Sequence, residues 1–394
     1  MLGAWSHSIV FVVLFCILVD FVKLVIELLG RSEERTFTSD PSLVTAVIAC
    51  RNGAAQLPET LTDLVRQLPP ENILVVDDGS TDDTSKVAQA FGCQVHRFDK
   101  CKGKASAINY AVYRVTTPYT LILDDDTRIG ATRIPTSLLS EDGHDAVAFH
   151  VLPDRRDRGG AHGGNFLGRL QRYEYGKSME IGRRFHDSSQ SVSCVSGAAG
   201  LFRTEDLNRY HHLHTNVFQG EDLQRSIIHL LNGGRIVFAN ETVWTVAPWT
   251  WRQWFRQRLL GWYPGQYHQV VNFVRLMVMR GVSWRVRYEM AYNLYMVVSD
   301  PLKTWSIVAI VLTPALRWWG PIIYLLYLVF ETYPWLVVRV AGSRQRSSIF
   351  VLLLYPLYGG LNTVLRTLAL PVWFWFRFVT GSMRPRRGPK DRIE

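Results

Sequence analysis

Three acidic clusters carry the residue types that could bind a metal ion and a diphosphate. They are Asp77-Asp78, Asp124-Asp125-Asp126 and Glu221-Asp222, and each comes where an apolar segment gives way to a loop. Adjacent carboxylates repel one another and raise each other's pKa, so such a run at the end of a buried strand is costly unless a divalent cation lies between them. Mg2+ in proteins usually keeps substrate phosphates in its shell. The clusters therefore predict a divalent cation that holds a diphosphate.

The segments around these clusters alternate between strand-like and helix-like patterns. Residues 43–49, 72–76, 94–98 and 119–123 are predicted strands, and residues 57–68, 84–91 and 104–115 are predicted helices between them. This rhythm is typical of an open, largely parallel sheet. We expect the site at the carboxyl edge of that sheet, where open α/β sheets bind their ligands.

Apolar residues are concentrated at 8–29 and from about 291 to 380, a membrane pattern. We predict an N-terminal anchor over 1–30, a cytosolic α/β domain over 31–248, amphipathic interface helices over 249–290, three to four transmembrane helices over 291–380 and a basic tail over 381–394. Residues 153–168 are predicted to form a loop.

Arginines that follow the first apolar segment set the predicted topology. Arg31 and Arg35 follow the anchor and no basic residue precedes it, which predicts an external amino terminus and a cytosolic catalytic domain in the cell membrane. One final crossing would leave the basic tail outside, whereas a hairpin broken at Gly359-Gly360 would keep it inside. Of these two, we favour the hairpin.

The net charge of +10 is concentrated beside the apolar segments and in the tail. This predicts contact with membrane lipids, and no nucleic-acid-binding motif accompanies the charge. The five cysteines show no paired spacing, which favours a reducing compartment.

From Val44 to Gly265 the motifs, in their order and spacing, resemble the family 2 glycosyltransferases with a GT-A fold. Within that family the chain is similar to the membrane-embedded synthases of hyaluronan, chitin, chitooligosaccharide and cellulose. The resemblance implies an α/β GT-A domain with a Rossmann-like mixed sheet, joined to transmembrane helices and amphipathic interface helices. It also implies a UDP-sugar donor and Mg2+ or Mn2+.

The same resemblance implies a role for individual residues. Asp126 and Asp124 would bind the metal, Asp222 would be the general base with Glu221 orienting it, and Ser196 and Gly197 would contact the acceptor. The nucleotide would be bound by Ala49, Arg51, Asn52, Asp78, Lys102, Lys104, Asp124 and Asp125. Helix capping remains the alternative for Asp77-Asp78 and for Glu221-Asp222.

The chain departs from the family at its QxxRW motif. Aligned without gaps from Gln257, Leu260 and Gly261 occupy the Arg and Trp positions. Trp262, one residue later, is predicted to contact the acceptor. Gln257, Arg256 and Arg258 are predicted to approach the diphosphate.

A nearby group of imidazoles, His211, His212 and His214, is interpreted as a solvated loop rather than a metal site.

Together these features predict a metal-dependent, inverting hexosyltransferase, most simply a processive polysaccharide synthase that also translocates its glycan. The alternative is transfer of a single sugar to a membrane lipid, such as a polyprenyl phosphate or a sphingolipid. A transporter with a nucleotide-binding domain is a third hypothesis, but no internal repeat supports it.

Overall fold

The computed structural model describes residues 2–154, 165–215, 220–341 and 348–380. A seven-stranded mixed sheet forms its centre, in the order β3-β2-β1-β4-β6-β5-β7. The strands are β1 (Val44–Cys50), β2 (Ile73–Asp77), β3 (Gln94–Arg97), β4 (Tyr119–Asp124), β5 (Ala146–Pro153), β6 (Ala199–Arg203) and β7 (Ile236–Thr245). Neighbouring strands are parallel except that β6 runs antiparallel to β4 and β5. The predicted Rossmann-like mixed sheet is confirmed.

Helices connect and cover the strands. Between the first and the last strand they are α2 (Leu57–Leu64), α3 (Thr84–Ala90), α4 (Lys104–Val112), α5 (Ser137–Ser140), α6 (Phe166–Lys177), α7 (Arg184–Asp187), α8 (Thr204–Tyr210) and α9 (Glu221–Leu231). β1, β2, β4 and β5 are buried along almost their whole length, which explains their near-continuous apolar sequences.

The sheet order reverses between β1 and β4. From β1 the chain continues outward to β2 and β3, whereas β4 is added on the other side of β1. The carboxyl ends of β1, β2 and β4 therefore border one crevice, the usual ligand site of such a sheet. The four predicted strands correspond to β1 to β4 within one residue at each end, while β5, β6 and β7 lay outside the predicted set.

The remaining helices lie at the two ends of the sequence. They are α1 (Leu2–Leu29), α10 (Trp251–Gln257), α11 (Tyr263–His268), α12 (Val270–Val278), α13 (Trp284–Leu312), α14 (Trp319–Ala341) and α15 (Ile349–Phe374). Within the described residues four helical segments are long and apolar enough to cross a membrane: Ser8–Leu29, Trp284–Leu312, Pro314–Val340 and Ile349–Val379. α13 begins before the predicted boundary at 291, so the last residues assigned to the interface helices belong to it.

The predicted hairpin at Gly359-Gly360 is wrong. α15 runs as one helix from Ile349 to Phe374 through both glycines. A glycine inside a helix costs about 1 kcal/mol relative to alanine, and side-chain contacts on either side offset this cost. Tyr358 bonds to Trp254, and Asn362 accepts from Tyr263. The predicted basic tail and most of the predicted 153–168 loop lie outside the described residues.

One arginine joins the anchor helix to the rest of the molecule. Arg285 Nη1, in α13, donates to the carbonyl oxygens of Gly30 at 2.7 Å and Phe185 at 3.2 Å. Its guanidinium also lies 4.6 Å from the centre of the Phe185 ring. We call these three residues the Arg285 clasp, and it fastens the end of α1, the helix α7 and the start of α13 to each other.

Candidate active site

A single lysine connects the end of β4 to the start of α9. Lys104 Nζ lies 2.5 Å from Asp124 Oδ1 and 3.0 Å from Glu221 Oε1. Burial works against the ammonium, but these two carboxylates outweigh it and raise the pKa of Lys104. Lys104 and Arg225 likewise outweigh burial at Glu221, whose pKa falls to about 2. Two acidic clusters that are about a hundred residues apart in sequence are therefore joined by one cation.

Asp222 faces the small-residue loop that precedes β6. Its Oδ2 accepts a hydrogen bond from the Gly197 amide at 3.0 Å, and its Oδ1 accepts from the Leu223 amide at 2.8 Å. Burial and the neighbouring Glu221 raise the pKa of Asp222. A Cβ at Gly197 would lie 3.1 Å from Lys104 Nζ. The predicted base, the predicted acceptor loop and the lysine thus lie together.

The three aspartates after β4 have different surroundings. Asp125 accepts from the Cys50 thiol at 2.9 Å, and Asp126 accepts from the Thr245 hydroxyl at 3.1 Å. Burial and the two neighbouring carboxylates raise the pKa of Asp126 to about 7. Oxygen donors of this kind fit a hard divalent cation, which would relieve their repulsion. Asp126 and Asp124 are the residues that could hold it.

Asp78 lies at the end of β2 and is turned toward the 101–103 segment. Its carboxylate accepts from the amides of Lys102 at 2.6 Å and Gly103 at 2.9 Å, and from the Cys101 thiol at 3.1 Å. Gly79 has a φ of +72°, and a Cβ there would be 2.8 Å from the Cys101 backbone nitrogen. The turn after β2 therefore requires glycine at position 79, because this position packs against the backbone at Cys101.

The loop after β1 is bound to the turn after β2. Asn52 adopts a positive φ, its side-chain oxygen accepts from the Thr81 amide at 2.8 Å, and its own amide donates to Ser80 Oγ at 2.9 Å. Ala49 is the last residue but one of the same strand, and Arg51, which directly follows the strand, is exposed. These predicted nucleotide-binding residues line one edge, and Lys102 lies beside them with its ammonium over the Phe98 ring.

The modified QxxRW region forms a π-helical turn, Arg258–Trp262, between α10 and α11. A π turn accommodates one extra residue within a helix. The extra residue in this turn therefore gives a physical basis for Trp262, which comes one residue after the Trp position of the QxxRW motif. Trp262 is partly exposed, and Ser196, another of the three predicted acceptor residues, accepts from the Ala198 amide at 3.3 Å.

Arg258 is buried within a network of its own. Its Nη2 lies 2.5 Å from Glu174 Oε2, and its guanidinium is 4.2 Å from the Trp262 ring and 3.3 Å from the Tyr358 hydroxyl. Glu174 and the nearby tyrosines outweigh burial and raise the pKa of Arg258. This arginine is engaged with α6 and α15 in the structure. Of the other two residues predicted to approach the diphosphate, Arg256 is exposed and Gln257 is half-buried.

Sequence reasoning missed several residues of this region. Thr245, Cys50 and Glu174 contact predicted site residues. Cys50 lies within the predicted nucleotide loop without having been assigned a role, whereas Thr245 and Glu174 belong to no motif, and Glu174 lies 84 residues before its partner Arg258. The interpretation of His214 as solvated is wrong, because its ring is buried and its Nε2 donates to the Glu221 carbonyl oxygen at 2.9 Å.

Comparison with known proteins bears on the family and the fold of this domain. Residues 45–210 match the family model described as Glycosyl transferase family 2. The poly-beta-1,6-N-acetyl-D-glucosamine synthases of Staphylococcus epidermidis and Staphylococcus aureus (strain COL) are 23% and 25% identical over 232 and 222 residues. In both cases the match covers 55% of this chain and 53% of the relative. The chain thus spans about half the length of the curated relatives it matches.

Among solved structures, the mannosyltransferase PcManGT from Pyrobaculum calidifontis, in complex with GDP-Man and Mn2+, has a TM-score of 0.56 at 16% identity. The match covers 92% of this chain and 99% of that one. At this identity the likeness concerns the fold, and it confirms the predicted GT-A architecture.

Proposed function

We infer that the protein transfers a sugar from a UDP-sugar to a hydroxyl acceptor, with inversion of configuration at the anomeric carbon. The premise is that residues 45–210 form a family 2 glycosyltransferase domain. The observation that carries this proposal is the convergence of Asp124 and Glu221 on Lys104, with Asp222 beside them. A nucleotide diphosphate and an attacking hydroxyl need such groups within a few ångströms of each other.

Asp222 is the proposed general base. An inverting transfer needs a carboxylate on the face opposite the departing diphosphate, to take the acceptor proton as its oxygen attacks the anomeric carbon. Hydrogen bonds from Gly197 and Leu223 fix this carboxylate in position. Its raised pKa makes it a better proton acceptor than a solvated aspartate.

Asp126 and Asp124 are proposed to hold Mg2+ or Mn2+. A divalent cation at these oxygens would stabilise the negative charge of the leaving diphosphate. Lys104, whose ammonium already lies at Asp124, is proposed to approach the same diphosphate, and Asp78 to orient the nucleoside. PcManGT, which shares the fold, was solved with a nucleotide-sugar and Mn2+, which supports this part of the proposal.

We further propose that the product is a polysaccharide and that the apolar helices pass it across the cell membrane from a cytosolic catalytic domain. The similarity to poly-beta-1,6-N-acetyl-D-glucosamine synthases supports polymer synthesis. The four helices long enough to span a bilayer support membrane integration. Membranes supplied with radiolabelled UDP-sugar should yield high-mass polymer, and a solvent-extractable labelled lipid instead would contradict this part.

The test of the catalytic proposal is Asp222→Asn in purified protein. Because the amide preserves shape but cannot accept the proton, we expect turnover to fall by about 10² to 10⁴. UDP affinity, measured by calorimetry, should stay close to that of the unmodified protein. Asp142→Asn, an exposed position on the same domain, is the matched control. Comparable UDP release by the Asp222 and Asp142 variants would refute the assignment.

A further inference from the structure

The apolar helices enclose a cavity whose lining includes several charged side chains. α1, α13, α14 and α15, together with residues of α6, line a space of about 750 Å³. This lies within the range of about 300 to 1,000 Å³ that is usual for ligand sites. Charged side chains within a membrane bundle are costly and mark the path of a polar substrate more often than a structural element. A bundle that served only as an anchor would be at least as stable with apolar side chains here.

Two ion pairs join α1, α13 and α15 at this cavity. Lys303 Nζ lies 2.6 Å from Asp20 Oδ2, and the Tyr292 hydroxyl donates to the other oxygen of Asp20 at 2.9 Å. Arg366 Nε lies 2.5 Å from Asp300 Oδ2. Each of the two carboxylates is thus neutralised by a cation from a different helix.

Two more carboxylates line the end of the cavity nearest the catalytic domain. Lys177 pairs with Glu331, and Glu174 pairs with Arg258, which lies behind the cavity wall. These pairs connect α6 to α14 and to the π turn after α10. The same network therefore bridges the catalytic domain and the membrane helices.

The fifth carboxylate, Glu27, pairs with Lys23 one helical turn away. Among the described residues, each acidic group that lines the cavity thus contacts a lysine or arginine, and each of the lining cations contacts an acidic group. The five lining carboxylates are paired with five cations, of which four line the cavity and Arg258 lies behind its wall. The cavity therefore presents paired charges on a lining that is otherwise largely apolar.

A smaller cavity shares part of its lining with this one. It has a volume of about 270 Å³ and shares Lys23, Glu27, Glu174 and Lys177 with the larger one. It reaches Ser193, three residues before Ser196. Its lining therefore extends from the helix bundle to the segment just before the predicted acceptor loop.

We propose that the larger cavity holds an uncharged sugar chain, built of neutral hexose or N-acetylhexosamine units, and that its paired charges discriminate against chains bearing uronate or phosphate. This inference rests on the proposed glycosyltransferase function and specifies its product. Sugar hydroxyls can hydrogen-bond to an intact ion pair, and such charge-assisted bonds are strong.

Aromatic residues of the lining suit the same cargo. The cavity-lining rings of Tyr292, Tyr327 and Tyr355 offer apolar faces together with hydroxyl groups. An anionic unit, in contrast, would lose its hydration among cations that are already neutralised.

The first experiment measures occupancy without catalysis. Protein in nanodiscs is titrated with chitotetraose or with tetragalacturonate, and we expect the neutral probe to bind at least about tenfold more tightly. Gly360→Phe should abolish this binding, because Gly360 lines the cavity and a Cβ there has no atom within 4 Å. Leu368→Phe, on the exposed side of the same helix, is the matched control and should leave binding unchanged. Equal affinity for both probes, or unchanged binding in Gly360→Phe, would overturn the proposal.

The second experiment changes the charge rather than the shape. Asp20→Asn keeps an acceptor for Tyr292 but leaves Lys303 unneutralised, so it should shift the affinity ratio toward tetragalacturonate. Lys303→Met should shift it the other way. A purely structural role would change both affinities together and leave the ratio constant, which would refute the inference.

A donor panel separates this inference from the function on which it rests. UDP release from UDP-GlcNAc or UDP-glucose, with a polymer free of uronate, supports both. A polymer that contains glucuronate overturns the inference while the glycosyltransferase function stands. UDP release from no donor, together with selective binding of chitotetraose, would instead count against the proposed function alone.

Discussion

At the scale of single residues, Lys104 has the most demanding position. It is the shared partner of Asp124 and Glu221, and Asp222 adds to the negative charge around it. A group in this position can neutralise carboxylates in the free protein and attract a diphosphate when the donor binds. The two functions depend on the same ammonium, so its charge matters more than its hydrogen-bond geometry.

We therefore predict that Lys104→Met lowers kcat/KM by about 10² to 10³, a loss typical of removing one preorganised electrostatic contact. UDP affinity should fall as well, in contrast to Asp222→Asn. Lys104→Arg, which keeps the charge, should retain a measurable part of the activity. The measurements are UDP release and calorimetry with UDP, and an unchanged affinity in Lys104→Met would show that the lysine does not approach the diphosphate.

His214 should make stability depend on pH. Burial and the nearby Arg225 lower the pKa of His214 to about 4, below the 6.5 of a free imidazole. Between these values the unfolded chain binds a proton that the folded protein excludes, so stability falls as pH decreases from 6.5 toward 4, by up to about 3 kcal/mol. We expect His214→Gln to lose less thermal stability than the unmodified protein over this range. Parallel melting curves for the two proteins would contradict this prediction.

Residue identities in motifs could be predicted from the sequence, and their partners could not. The acidic clusters and Lys104 stand in short local patterns, and the structure brings Asp124, Lys104, Glu221 and Asp222 together as these patterns implied. The contact of Arg258 with Glu174 joins residues 84 positions apart, and nothing in either local sequence indicates it. Such pairs depend on how the elements pack.

At the scale of elements, the start of α9 is set by a glycine that also packs closely. Gly220 has a φ of +83°, and a Cβ there would lie 3.2 Å from the Gly265 Cα, in α11. This contact fixes the first turn of α9, which carries Glu221 and Asp222. The position of the proposed base therefore depends on the packing of α9 against α11.

Gly220→Ala should accordingly reduce both stability and turnover. A left-handed conformation costs a residue with a Cβ about 1 to 2 kcal/mol, and the contact with Gly265 would displace the helix start. Gly233→Ala is the matched control, because Gly233 follows the same helix with a φ of +81° but has nothing within 4 Å of its Cβ position. Both variants should lose stability in thermal melts, whereas only Gly220→Ala should lose most of its UDP release. Equal turnover in the two would show that the start of α9 tolerates displacement.

The elements that sequence patterns predicted well are those with simple periodicity. β1 to β4 alternate with helices in regular order, whereas β5, β6 and β7 are separated by long insertions and include an antiparallel strand. The hairpin at Gly359-Gly360 was predicted from local propensity, whereas the helix continues through both glycines, where Tyr358 and Asn362 contact α10 and α11. Tertiary packing outweighed two glycines.

At the scale of the whole molecule, four spanning helices would place the turn after α13 on the side of the membrane opposite the catalytic domain. Cys101 is exposed on that domain, and Ala315 is exposed in the turn between α13 and α14. We predict that an impermeant maleimide labels Ala315→Cys, in a Cys101→Ser background, in intact cells. Cys101 in the unmodified protein should react only after permeabilisation. Labelling of both positions under the same condition would contradict the arrangement.

The Arg285 clasp joins residues that the ribosome synthesises far apart in time. Arg285 is translated 255 residues after Gly30, an interval of roughly 13 to 50 s at typical ribosomal speeds. Within the described residues α1 is the one candidate membrane-spanning helix made by that time, and all seven strands of the sheet have been synthesised before α13 begins. Synthesis thus divides into two stages, and the arrival of one guanidinium opens the second, in which α13, α14 and α15 are added.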